Sequence, residues 1–205
     1  YIPGDANNSS NNKTLTITKV NGQAEGDPTA GIAPWDKRIL TLTLDRPEGG
    51  IHAKWRTTSD GGKTYKDVTN YAYEYTPNDM SVGHVDGDGQ YELFVKWDPS
   101  TSQDNSFSCG YSGSVYLDCY KIAPDCQLLW RIDLGNNIRA GAHYTQFMVY
   151  DFDGDGKAEM MCKTSAGSKD GQGNYVNEAA TDTVIKSMGN TTDYRNSDGH
   201  ILRGA

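Results

Sequence analysis

The stretch Asp151-Phe152-Asp153-Gly154-Asp155-Gly156-Lys157-Ala158-Glu159 gathers oxygen donors at a spacing that suits one hard cation. Positions 1, 3, 5 and 9 carry the carboxylates of Asp151, Asp153, Asp155 and Glu159, and position 7 offers the Lys157 backbone carbonyl. Calcium takes six to eight oxygen ligands, and the glycine after the third Asp permits the sharp turn. Carboxylates this close repel one another, so a bound Ca2+ ion is expected in preference to a solvated acidic turn. A weaker copy comes first: His84-Val85-Asp86-Gly87-Asp88-Gly89-Gln90-Tyr91-Glu92. Asp86, Asp88, Glu92 and the Gln90 carbonyl keep their places as candidate ligands, with water to complete the shell. His84 replaces the first carboxylate, and imidazole is a poor calcium ligand beside oxygen. An EF-hand is excluded, because its twelfth position needs a carboxylate and a helical flank. Here that position holds Val95 or Cys162, and YELFVKW and AEMMCKT show no helical stripe.

Elements of strand period must position these loops. Met80–Asp98 aligns without gaps on Phe147–Ser165, and both copies read strand, acidic loop, strand. Ser114–Ile122 and Gln127–Leu134 add two strands joined by a turn, so one repeat holds four strands, the content of a propeller blade. Blades bury their faces against neighbours, and two loop copies cannot close a ring. The chain is therefore expected to be part of a larger protein. Thr14–Val20 and Arg38–Leu44 alternate at the strand period, and His52–Thr58 reads as a further strand. The segment Ser59-Asp60-Gly61-Gly62-Lys63-Thr64-Tyr65 that follows carries a hairpin turn signal and resembles the Asp-box of some propellers, a structural motif. One helix is expected over Glu178–Met188, with Asn177 as N-cap and Gly189 as stop.

Composition agrees with short strands and turns: the 205 residues include Gly 23 and Tyr 13, with few leucine-rich stretches. No apolar run approaches the length of a membrane-spanning helix. A formal charge of −8, with no basic stripe, argues against nucleic acid as a partner. Residues 1–12 lack a signal-peptide pattern and read as a processed or artificial end. Residues 1–35 are expected to be a lead-in or the end of a small β domain, and 36–205 the first blades of a propeller. Among Cys109, Cys119, Cys126 and Cys162, a cross-hairpin Cys119–Cys126 disulfide competes with a set of buried thiols.

From Tyr75 to Asp170 the chain resembles the rhamnogalacturonan lyases of polysaccharide lyase family 11. The matching text includes Asn78–Gly83, VKWDPS at Val95–Ser100, Asp104–Ser106 and Leu129–Gly135. The longest match is NIRAGAHYTQF at Asn137–Phe147, followed by Lys163-Thr164, and the family pattern continues to Arg203. Residues 1–35 match it poorly, and His84 stands where the family has Asp.

The resemblance implies an all-β, eight-bladed calcium-binding propeller that cleaves the rhamnogalacturonan-I backbone of pectin by β-elimination. It implies that Asn78 and Asp98 contact a rhamnose unit, and that the base and cationic residues lie beyond Ala205. β-Elimination needs a base at C5 of a galacturonosyl unit and a neutralised uronate carboxylate. Arg139, His143, Tyr144 and Lys163 are candidates for substrate contact. For Arg139 and His143 a hydrogen-bonding role at a blade junction competes equally, and Lys163, aligned with Lys96, reads as architectural. The runner-up function is a calcium-loop propeller that binds carbohydrate or protein without chemistry. Substrate and calcium together suggest a secreted or periplasmic protein, monomeric at full length. The Asn-x-Ser/Thr sites at Asn7, Asn8, Asn12 and Asn190 matter only in a eukaryotic secretory host.

Overall fold

The computed structural model describes residues 42–200 except 58, 61–62, 104–110, 123–124, 142 and 198. The expected lead-in 1–35, the strand Thr14–Val20, most of Arg38–Leu44, Cys109, Asp104–Ser106 and Arg203 lie outside the described residues. The described residues belong to one compact unit that begins at Leu42. Leu42–Leu44 run without strand pairing.

The architecture is all-β with almost no helix. Strands β1 (Gly50–Thr57) and β2 (Lys66–Tyr73) form an antiparallel hairpin. Four antiparallel strands in sequence order make the central sheet: β3 (Tyr75–Gly83), β4 (Glu92–Pro99), β5 (Tyr116–Lys121) and β6 (Gln127–Asp133). Strands β7 (Phe147–Tyr150) and β8 (Glu159–Cys162) form a second short hairpin. The four-strand content of one sequence repeat is thus a single meander, and the second repeat copy supplies β7–β8.

Side chains alternate across the central sheet and separate two cores. On one face Val95, Trp97, Tyr75 and Tyr120 bury one another and pack on Leu44 and Tyr73. On the other, Leu117, Val115, Leu134, Ile138 and Ala140 pack against Phe147, Met160 and Cys162 of β7–β8. Covered on both faces, β4 is buried along nearly its whole length. A charged knot sits inside the aromatic face. Asp118, wholly buried, accepts from Trp97 Nε1 (2.7 Å), Tyr120 Oη (2.6 Å) and both Nε and Nη2 of Arg131 (2.8 Å each). Arg131 is the register partner of Asp118 across β5–β6, so the pleat itself brings the pair together.

One open alternative is decided and one expectation is corrected. Cys119, Cys126 and Cys162 are free thiols, and no Cys119–Cys126 bridge forms. Cys119 pairs in register with Trp130, whereas Cys126 sits in the turn at φ 51 and packs with the Tyr120 cluster. Burial pushes the Cys119 thiol up to about 12, as an inert core thiol requires. The long helix is replaced by a 3-10 turn, Val176–Ala179, and a four-residue helix α1, Thr183–Lys186. Asp182 caps α1, because its carboxylate accepts from Val184 and Ile185 N–H and stops the helix extending backwards. Asn177 is no N-cap: it is buried and its Nδ2 donates to the Ile185 and Met188 carbonyls at the other end.

Candidate functional site

The two acidic loops share most of their internal bonds. In loop 1, between β3 and β4, Glu92 Oε2 accepts from Val85 N–H; in loop 2, between β7 and β8, Glu159 Oε2 accepts from Phe152 N–H (2.9 Å each). Asp86 accepts from Asp88 N–H and Asp88 from Gln90 N–H, as Asp153 does from Asp155 and Asp155 from Lys157. Gly87 and Gly154 share φ +81, and Gly89 and Gly156 lie at +87 and +88, a conformation that glycine adopts freely.

Loop 2 fits a calcium ion. Oxygen atoms of Asp151, Asp153 and Glu159 lie within 4.8 Å of one another. Asp151 accepts from the N–H groups of Gly154 and Asp155 on Oδ1 and of Gly156 on Oδ2, which orients the carboxylate and leaves one lone pair of Oδ2 free. Among the described residues no basic side chain pairs with these carboxylates. Asp155, expected as a ligand, lies outside the tight cluster and accepts from Lys157 N–H.

Loop 1 does not fit in the same way. His84, Asp86 and Asp88 cluster, whereas Glu92 does not join them. His84 Nε2 lies 2.7 Å from Gly89 N–H, the same bond that Asp151 makes to Gly156. A carboxylate keeps lone pairs after accepting that bond; an imidazole nitrogen has only one and has spent it. The Lys121 ammonium lies 2.6 Å from Asp88 and 3.1 Å from Asp86. The loops also touch: Ala158 N–H donates to the His84 carbonyl (2.7 Å), and an added Cβ on Gly83 would lie 2.5 Å from Val149.

The expected sugar contacts occupy the other end of the β3–β4 hairpin, roughly 20 Å from loop 1 at the strand rise. The register shifts between Pro77 and Met80, and Asn78 and Asp79 bulge out there, exposed. Asp79 accepts from the Nζ of Lys96 (2.7 Å), whose side chain is wholly buried. Asp98, 7% exposed, has no hydrogen-bond partner for Oδ1. Burial raises its carboxyl above the ordinary range, with the Lys96 ammonium opposing and Asp79 reinforcing the shift.

Arg139 and His143 lie on the turn after Leu134. Arg139 Nε donates to the Gln103 carbonyl (3.2 Å), and its guanidinium lies 5.2 Å from the Tyr144 ring centroid. Gln103 N–H donates in turn to the Ala140 carbonyl, so Arg139 ties this turn to the chain leaving β4. A side chain at Gly141 would meet the Gln103 carbonyl at 2.6 Å, which explains the glycine in the middle of NIRAGAHYTQF. His143 is exposed, and so is Lys163, whose repeat counterpart Lys96 is buried. A polar cleft of about 290 Å³, lined by Asn136, Asn137, Lys169, Tyr175 and Asp193 among others, was not foreseen from the sequence.

The model of the C-terminal domain of rhamnogalacturonan lyase family 11 matches residues 57–205. The chain belongs to rhamnogalacturonan lyase family 11. Among its family relatives, the rhamnogalacturonan endolyase YesW of Bacillus subtilis (strain 168) is 46% identical over 96% of this chain and 27% of its own length. The exolyase YesX of the same organism is 47% identical over 83% of this chain and 23% of its own length. The chain thus spans about a quarter of the length of these relatives. The crystal structure of exotype family member YesX matches with a TM-score of 0.61 at 47% identity, covering 80% of this chain and 22% of that one. A Bacillus licheniformis rhamnogalacturonan lyase matches with the same TM-score and identity, covering 80% and 23%.

Proposed function

We propose that this chain is part of a polysaccharide lyase that cuts the rhamnogalacturonan-I backbone of pectin by β-elimination at galacturonosyl residues. The observation that carries this reading is the near-half identity to both an endolyase and an exolyase of one family. In the reaction a base removes the C5 proton, the C4–O4 bond breaks, and a C4–C5 double bond forms in the uronate. The scaffold is a calcium-loop propeller, with β3–β6 as one blade and β7–β8 as the start of the next.

Asn78 and Asp98 hold sugar hydroxyls at the far end of the β3–β4 hairpin. Asp98 Oδ1 suits this role as a buried acceptor without a protein donor. Lys96 fixes the Asn78–Asp79 bulge through Asp79. Arg139 and His143 serve as further substrate contacts in this proposal, with Arg139 also holding its turn to Gln103. Asp151, Asp153, Asp155 and Glu159, with the Lys157 carbonyl, would hold calcium, which supplies positive charge and pins the strand connection. Pectin and abundant calcium both lie outside the cytoplasm, which supports a secreted or periplasmic protein, monomeric at full length.

The test uses the full-length protein on rhamnogalacturonan-I with calcium. Ultraviolet absorbance of the unsaturated uronate is expected to rise, and no rise overturns the reading. Asn78→Ala and Asp98→Ala are each expected to lower kcat/KM by about tenfold or more, the value of one or two lost polar contacts.

A further inference from the structure

We propose that loop 1 is closed by the Lys121 ammonium in place of a calcium ion, so that only loop 2 of the repeated pair depends on the metal. The two loops share backbone geometry, so the difference between them lies in charge and donor chemistry. Loop 2 presents four carboxylates, Asp151, Asp153, Asp155 and Glu159, with no basic partner among the described residues. Loop 1 presents three, Asp86, Asp88 and Glu92, and Lys121 bonds two of them at 3.1 and 2.6 Å. Calcium affinity in such loops follows the count of charged ligands, and loop 1 has one carboxylate fewer and an ammonium on two of those it keeps.

His84 completes the exchange. Its Nε2 takes the Gly89 N–H bond, so the loop keeps its shape while the first metal ligand is lost. The source of the ammonium is the sheet itself. Lys121 is the register partner of Glu92 across β4–β5 and therefore stands on the same sheet face. Glu92 Oε1 is buried without a hydrogen-bond partner, and it is the atom a calcium ion would have to recruit. An ion binding Asp86 and Asp88 together with it would compete with the ammonium already held by those two carboxylates. The stem of Lys157 from loop 2 also passes 3.4 Å from the Cβ position of Gly87, bringing a second cationic side chain to the rim of loop 1. A tethered ammonium loses only side-chain rotamer freedom on pairing, not the translational freedom of a free ion, and no chelator removes it.

This inference rests on the residues of loop 1 and stands apart from the lyase reading. The test measures calcium bound per full-length chain by equilibrium dialysis, together with amide hydrogen exchange. With loop 2 disabled by Asp151→Asn and Asp153→Asn, adding Asp86→Asn is expected to remove no further calcium. In that background Lys121→Met with His84→Asp is expected to restore one ion per chain, which Asp86→Asn then abolishes. In the unmutated protein, chelation is expected to speed exchange at Gly154–Lys157 at least tenfold and to leave Asp88–Gln90 unchanged. Calcium lost on Asp86→Asn while Lys121 is present, or a parallel rise in exchange at both loops, overturns the proposal. If chelation changes neither loop, loop 2 does not depend on the metal and the proposal is overturned. The exchange measurement needs no variant and so decides the matter even where a substitution prevents folding.

Discussion

Asp98 illustrates what a residue proposed to bind sugar costs the fold. Its carboxyl is buried on the face of β4 that also carries Phe94 and Lys96, and Oδ1 lacks a donor. Burial raises its pKa, so the folded chain holds that proton more tightly than the unfolded chain does. Stability therefore falls as pH rises from the ordinary aspartate range through the raised native value, and the penalty is complete above it. Asp98→Asn removes the charge while Asp79 continues to neutralise Lys96. Thermal melts are expected to show the variant more stable than its parent at neutral pH, the advantage vanishing below the ordinary aspartate range. Loss of substrate turnover in the same variant would separate the two effects, and an unchanged difference across pH would refute the assignment of the buried charge.

At the level of elements, the β1–β2 hairpin depends on Asp60. Its carboxylate accepts from Lys63 and Thr64 N–H (3.0 and 2.8 Å) and from Thr64 Oγ1 (2.6 Å), which fixes the turn the sequence announces. Asp60→Ala is expected to cost about 1–2 kcal/mol, by analogy with a lost helix cap, and to speed exchange across β1–β2 selectively. Strands were legible because alternation and Asp-Gly punctuation are local signals: β4, β5, β6 and both acidic loops fall where the pattern puts them. Helix length was not, because the β-branched Thr181, Thr183, Val184 and Ile185 and the competing Asp182 carboxylate outweigh a short apolar spacing. The disulfide failed for a related reason, since the register of β5 on β6 places Cys119 opposite Trp130. Lys121 was invisible as a partner of loop 1 because only the β4–β5 register brings it there. Its sole local sign is a basic residue closing the strand Tyr116–Lys121.

For the whole molecule, Asp118 is the point where three strands and the entering chain meet. It joins Trp97 of β4, Tyr120 of β5 and Arg131 of β6, and the last two also donate to the Asp45 carbonyl. Asp118→Ala leaves Arg131 without its buried counter-charge and is expected to lower unfolding free energy by about 3–5 kcal/mol in urea titrations. A loss below 1 kcal/mol would mean that the aromatic packing alone holds the sheet. The Asp45 contacts set an order of assembly. That carbonyl bonds side chains 75 and 86 positions later, so the segment made first cannot lock until β6 has been made. On the ribosome, the segment around Asp45 must wait for a clasp that emerges several seconds behind it.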